Sequence, residues 1–313
     1  MIHRLTVIPM ALLLVVAFEA CGGGGGSNGD GESDGSVDGY PTGMPTIPGG
    51  DYNWTGCPDL PGPGSPSDPM VSATFVVEDF EDGFAVEGVQ LEVFYSNIAT
   101  GEPDLDATNL DETDASGEVT ALVPADRIIA YRVVGGPVPN PIFGEVKTSI
   151  EYDVVTPAAD GGSIEAIAVI QSTYLLISTV LGITPDPALG ILAGAFSDCS
   201  GANLEGVVAR LYNPDDTLCS SANRCLDRYF IDEVPAQDQW WSSADGLFGL
   251  LQVPAIDGYR LELHAIVSGS GCPGDMVIVG RHENLRIIEN AITIVDFSSI
   301  DVGDEPWMDR CVW

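Results

Sequence analysis

One block of sequence occurs twice in this chain, and its internal spacing restricts the fold more than any other feature. The second copy reads Leu204-Glu205-Gly206-Val207-Val208-Ala209-Arg210-Leu211-Tyr212, then Ser243-Ala244-Asp245-Gly246-Leu247-Phe248, then Val253-Pro254-Ala255 and Tyr259-Arg260-Leu261-Glu262-Leu263. The first reads Val86-Glu87-Gly88-Val89-Gln90-Leu91-Glu92-Val93-Phe94, then Thr113-Asp114-Ala115-Ser116-Gly117-Glu118-Val119, then Val123-Pro124-Ala125 and Tyr131-Arg132-Val133. Apolar and polar residues alternate at Val89, Leu91 and Val93 and along Tyr259, Leu261 and Leu263. A period of two marks a strand with one buried face. Glu-Gly before the first strand and Ala-Ser-Gly or Ala-Asp-Gly before a later one are turn signals, because Gly accepts positive φ and Asp or Ser bonds the nearby backbone. Val-Pro-Ala ends a strand, since proline cannot donate to a central ladder. Short strands at this spacing predict an all-β chain of two tandem antiparallel β-sandwich domains.

These motifs resemble the carboxypeptidase regulatory-like, transthyretin-like sandwich family. The resemblance covers about 60 to 70 residues of each copy. In the first it runs through Phe75 to Val77, Glu87-Gly88-Val89, Thr113 to Gly117 and Pro124 to Tyr131. In the second it runs through Ala193 to Ser197, Glu205-Gly206-Val207, Ser242 to Gly246 and Pro254 to Tyr259. It implies a prealbumin-like or Ig-like sandwich and no catalysis, because the motifs report turns and not chemistry. The second copy carries about 11 more residues between its two turns, a stretch that includes Trp240-Trp241.

The start of the chain reads as an export signal. His3 and Arg4 precede an apolar run from Leu5 to Phe18, which is shorter than the roughly 20 residues a membrane span needs. Ala20 followed by Cys21 resembles a bacterial lipoprotein signal, although Phe18 and Glu19 depart from its usual pattern. Cys21 is therefore the expected lipidation site, and the membrane, through that lipid, the expected partner. Gly22 after the cysteine leans toward the outer membrane, so a lipid-anchored place in the bacterial cell envelope is expected. Residues 21 to 68 are rich in Gly, Ser, Asp and Pro and read as a disordered acidic tether. Asp30 to Gly35 matches half of a calcium loop, but Pro41 stands where a bidentate acid is required. The expected organisation is thus a signal peptide over 1-20, a tether over 21-68, a sandwich over 69-171, a connecting helix and loop over 172-190 and a second sandwich over 191-313. The helix is expected from Ser172 to Gly182, capped by Ser172 or Thr173 and packed through Tyr174, Leu175, Leu176, Ile177, Val180 and Leu181.

Charge excludes some partners. The chain has 47 Asp and Glu against 11 Lys and Arg, a net charge of -36, with Lys147 as its single lysine. Such a surface repels nucleic acid, so none is expected as a partner. Beyond Cys21, six cysteines remain: Cys57, Cys199, Cys219, Cys225, Cys272 and Cys311. An even count in an exported chain predicts disulfides. Cys219 and Cys225 can close a short loop, which leaves Cys199 with Cys272 and Cys57 with Cys311 as the remaining pairing. No zinc spacing is present, and no metal or cofactor is expected.

Catalytic patterns are also lacking. His282-Glu283 is followed by Arg286 where a zinc protease would place its second histidine, and there is no Gly-x-Ser-x-Gly elbow or phosphate loop. His264 lies in an alternating strand and is expected to be packed or at the surface. Trp240-Trp241 is the candidate binding feature: on a strand one ring would enter the core, and the other could stack on a sugar or meet a protein. The sequence therefore predicts a non-enzymatic envelope protein that serves adhesion, ligand binding or structural spacing, with a protein or glycan ligand. The alternatives are a carbohydrate-binding accessory module using Trp240 and Trp241, and a hydrolase with an unrecognised carboxylate site.

Overall fold

The structure, a computed structural model, describes residues 40–41, 43–48, 61–95, 112–139, 144–221, 224–231, 234–236, 238–297 and 311–312. A short strand, β1 (Thr46–Pro48), precedes both copies. The first copy holds β2 (Met70–Asp79), β3 (Gln90–Phe94), β4 (Glu118–Pro124), β5 (Ile128–Val134), β6 (Gly136–Pro137), β7 (Glu145–Lys147), β8 (Ser149–Val155) and β9 (Gly162–Ile170). Helix α1 (Gln171–Val180) follows. The second copy holds β10 (Leu189–Phe196), β11 (Val207–Tyr212), β12 (Leu226–Ile231), β13 (Val234–Ala236), β14 (Leu247–Pro254), β15 (Asp257–Ser268), β16 (Met276–Arg286) and β17 (Ile292–Phe297).

The two copies repeat one topology. In the first, β2 lies between antiparallel β4 and parallel β9, and β5 lies between antiparallel β3 and β8. In the second, β10 lies between antiparallel β14 and parallel β17, and β15 lies between antiparallel β11 and β16. The expected pair of sandwiches is present, with a parallel strand pair in each where only antiparallel ones were expected.

The turn motifs explain the match. Thr113 is buried; its hydroxyl donates to Val86 O (2.6 Å) and accepts from Val89 N–H (2.9 Å). Ser242 does the same with Leu204 O (2.6 Å) and Val207 N–H (2.9 Å). Each hydroxyl supplies both partners that a buried backbone pair would otherwise lack. Gly88 and Gly206 both take φ near +80°, at 79° and 83°, where an L side chain is strained. The aromatic strand is the exception. Leu91 faces Val133 and Ala209 faces Leu263, so Leu261 rather than Tyr259 is the counterpart of Tyr131. Both counterparts lie seven residues after their proline, Pro124 to Tyr131 and Pro254 to Leu261, so the connections are equally long and the second tyrosine simply stands one alternation earlier on its strand.

The sandwiches are fused. Strand β17 runs parallel to β8, with Ile292 opposite Ser149 and Val295 opposite Tyr152, so one eight-stranded sheet runs through both copies in the order β13-β12-β14-β10-β17-β8-β5-β3. The first core contains Phe75, Val77, Leu91, Val93, Tyr131 and Val133. The alternate residues of those strands, Phe94, Ala130, Ile150 and Tyr152, belong instead to the core of the second copy, with Leu192, Phe196 and Leu261. At the same joint Lys147 Nζ donates to Asn290 Oδ1 (2.7 Å) and lies 4.7 Å from the Tyr174 ring centroid. Burial lowers the lysine pKa. One side chain of the first copy thus meets the connecting helix and the β16–β17 turn together.

Three expectations need correction. Part of the expected tether is structured: β1 pairs parallel with β15, Met44 and Ile47 are buried, and Gly64 N–H donates to Ile128 O (3.0 Å). The helix starts at Gln171 after Ile170, which makes no side-chain cap, so Ser172 and Thr173 lie inside it. Tyr174 and Leu181 pack as expected, but the helix turns other apolar residues outward and polar ones inward. Thr173, Tyr174 and Ser178 are its buried residues, while Leu175 and Leu176 are 46% and 47% exposed. The cause lies in its neighbours: Thr173 Oγ1 donates to Glu81 Oε2 (2.6 Å), Ser178 to Tyr174 O (2.9 Å), and Tyr174 receives Lys147.

Candidate functional site

A polar cluster of the second sandwich lies on the outer face of β11, β15 and β16. Alternation places Leu261, Leu263 and Ala265 in the core and turns Glu262 and His264 to the other side. That side should be wet, yet His264 is 1% exposed and Glu262 is buried. The cover is the Tyr40–Pro48 segment. The Tyr40 hydroxyl bonds His264 Nδ1, the Arg210 guanidinium lies 4.5 Å from the Tyr40 ring centroid, and Pro45 sits against Gly206.

Glu262 is the centre of the cluster. Its carboxylate accepts from His264 Nε2 at 2.9 Å and meets Arg260 Nε at 3.1 Å and Arg281 Nη2 at 3.2 Å. Burial would raise its pKa, but the bonded His264 and the two guanidiniums outweigh that and hold it below the ordinary carboxylate value. An ionised Glu262 can only accept, so His264 carries its proton on Nε2 and offers Nδ1 to the tyrosine hydroxyl. Burial pushes the His264 pKa down and that of Tyr40 up to about 12. The cluster is therefore a closed hydrogen-bonded set with neutral imidazole and neutral phenol. It offers no open cleft at its centre, and the chemistry it supports is packing of the N-terminal segment.

The sequence-predicted candidates lie elsewhere. Trp240 and Trp241 stand between β13 and β14 on irregular backbone, not on a strand, so alternation does not separate them. Trp240 is 46% exposed, and Trp241 is half-buried with its carbonyl accepting from Gln239 Nε2 (2.7 Å). The same stretch of the second copy holds β12 and β13, which lengthen the shared sheet. Neither tryptophan joins the Glu262 cluster. His282, expected to lack a zinc partner, instead lies across the joint with Nε2 2.8 Å from Asp153 Oδ2. Among the described residues no three His, Cys, Asp or Glu side chains converge as a metal site would require.

The cysteines pair differently from expectation in part. Cys219 bonds Cys225 across 5.8 Å between Cα atoms, as the short loop predicts. Cys272 bonds Cys311 across 5.3 Å, which overturns both Cys199–Cys272 and Cys57–Cys311. The reason is local: Cys311 bridges Val277 at the start of β16, directly after Cys272. Cys199 is disulfide-bonded. Cys21 and Cys57 lie outside the described residues. The calcium-loop reading at Asp30 to Gly35 lies outside them as well.

Sequence reasoning missed the cluster because its cover is about 220 residues from the strand it covers. The one available signal was the run Arg260, Glu262, His264 on the outward parity of a strand, with Arg210 and Tyr212 on its neighbour.

No protein-family model matches the chain. No curated protein matches it either. Among solved structures it is similar to a shaft pilin of Lactobacillus rhamnosus GG, at 11% identity over 72% of this chain and 97% of that one, with a TM-score of 0.23. It is also similar to a minor pilin of Streptococcus agalactiae, at 14% identity over 72% and 94%, with a TM-score of 0.23. A leucine-rich repeat protein of Bacteroides thetaiotaomicron matches at 11% identity over 76% and 26%, with a TM-score of 0.18. At these TM-scores the similarities carry no argument about activity, location or partners.

Proposed function

We propose that the chain is a lipid-anchored, non-catalytic protein of the bacterial cell envelope that displays two carboxypeptidase regulatory-like sandwiches as one rigid unit for adhesion, ligand binding or structural spacing. The observation that carries this reading is the fusion itself: a shared eight-stranded sheet and the Lys147–Asn290 contact hold the copies together. The polar clusters of that unit serve packing. The anchor rests on the sequence, through the apolar run ending at Phe18, Ala20 and Cys21. In this reading the units are 69-171 and 191-313, with residues 40–41 and 43–48 packed on the second. Cys21→Ala tests the anchor. The variant should leave the membrane for the soluble envelope fraction, and a variant that stays membrane-bound overturns the anchor.

A second reading follows from the exposure of Trp240. In it the second sandwich is a carbohydrate-binding module, with the indole stacked on a sugar ring beside Asp238 and Gln239. A glycan array paired with tryptophan quenching separates the two, since Trp240→Ala should remove both signals only in this reading. A panel of hydrolase substrates with the whole chain tests the third reading, an unrecognised carboxylate site.

A further inference from the structure

Residues 40–41 and 43–48 lie across the outer face of the second sandwich. Strand β1 pairs with β15 over three residues, Thr46 to Pro48 against Ile266 to Ser268. Met44 and Ile47 supply its apolar contacts, and Tyr40 binds the far end through His264 and Arg210. A three-residue ladder held by two apolar side chains opens at a lower free energy than the sandwich unfolds.

We propose that this segment is a pH-gated strap, closed over neutral His264 and released when that imidazole takes up a proton. In the closed state Nε2–H donates to Glu262 and Nδ1 accepts from the Tyr40 hydroxyl. Protonation gives Nδ1 a hydrogen directed at that hydroxyl, which must then rotate and accept. The new cation would face Arg210 on β11 and Arg281 on β16, both of which disfavour it. Glu262 on β15 favours it, but that carboxylate is already shared with Arg260 and Arg281. Tyr40 on the strap stays neutral, with a pKa of about 12, and cannot offset the charge. Opening the strap returns the imidazole to water, where its pKa is about 6.5.

The sign follows from linkage. The closed His264 pKa is lowered, so the open state binds more protons, and opening becomes favourable as pH falls below about 6.5. The opening constant rises up to about tenfold per pH unit until the closed-state pKa is reached. Opening uncovers His264 and Arg210 together with the β15 edge at Ile266 to Ser268.

Hydrogen exchange of the whole chain tests this, read by mass spectrometry and corrected for the intrinsic dependence on pH. Between about pH 7.5 and pH 5, exchange of residues 43–48 and 266–268 should rise about tenfold or more, while β2 and β9 of the first sandwich stay unchanged. In His264→Gln, whose amide can donate and accept but does not titrate, the rise should vanish. The His264 ring proton, followed by NMR in the unsubstituted chain, should titrate at the midpoint of the exchange change, which keeps the test decisive should the variant not fold. Equal strap protection at both pH values overturns the gate. So does a rise that persists in a folded His264→Gln, or one shared by all of β15, which would mean that the sandwich itself unfolds.

Discussion

The two sandwiches present the same face to different neighbours. In the first, the face of β3, β5 and β8 that points away from its own core carries Phe94, Ala130, Ile150 and Tyr152 and is sealed by the second sandwich. Its counterparts, following the strand registers, are Tyr212, Arg260, Arg281 and Glu283; the strap packs beside them on His264 and Arg210, and Arg281 and Glu283 stay partly in water. The backbone topology is common to both; what differs is the side chains, although the first face also carries the Glu92–Arg132 ion pair. An apolar face recruits a whole domain, because burying it removes apolar area from water. A charged face repels a third domain, since unpaired buried charge costs more than packing returns.

The largest expected effect comes from giving the first face the character of the second. Ile150→Arg places a guanidinium in the joint where isoleucine is 1% exposed. It should destabilise the chain by about 3–5 kcal/mol in urea unfolding, the cost of a lost core side chain together with an unpaired buried charge. A loss under about 1 kcal/mol would show that the joint is not the packed contact that distinguishes the faces.

The copies also differ in cross-links. The stretch 69-171 has no cysteine, whereas the second copy contains Cys219–Cys225 and Cys272–Cys311. The second bridge spans 39 residues. Replacing both of its cysteines with serine should cost about 2–4 kcal/mol, and hydrogen exchange should place the loss in β15 and β16. Protection that falls equally in β2 and β9 would mean that the copies unfold only as one body.

Where the copies agree, substitutions should agree. Thr113→Ala and Ser242→Ala each strip partners from one buried N–H and one buried carbonyl, at about 1–3 kcal/mol apiece. Thermal unfolding should register similar losses, and a twofold disparity would show that the two turns are not energetically equivalent.

The turns were legible because they are local. Gly88, Gly117, Gly206 and Gly246 need positive φ, Pro124 and Pro254 end their strands, and alternation names the core residues. What escaped is non-local. Residues 40–48 look like linker because proline and glycine dominate, and only Met44, Ile47 and Tyr40 have side chains to bury. His264 looks like a surface residue until the strap covers it. Helix α1 looks amphipathic, but Glu81 and Lys147, both distant in sequence, select its polar side. The fusion through β17 and β8 could not be read from either copy alone, since each closes its own pattern first.

The smallest effect belongs to the reverse exchange, Arg281→Ile, which gives the second face the residue of the first. Arg281 is 39% exposed on its side chain, and its other partner, Glu283, is 53% exposed at 3.9 Å, so water and salt already screen much of the pair. Glu262 keeps Arg260 and His264 after the change, so its charge stays compensated. Isoleucine suits a strand and can lie against the covered sheet without a void. The expected cost is at most about 1 kcal/mol at neutral pH, read by the same urea titration as Ile150→Arg. Below about pH 6.5 the variant should lose stability less steeply than the unsubstituted chain, because one of the two cations that oppose His264 protonation is gone and the closed-state pKa moves back toward its ordinary value. A cost near that of Ile150→Arg would contradict the distinction between the faces, since it would make Arg281 a packed residue of the kind Ile150 is.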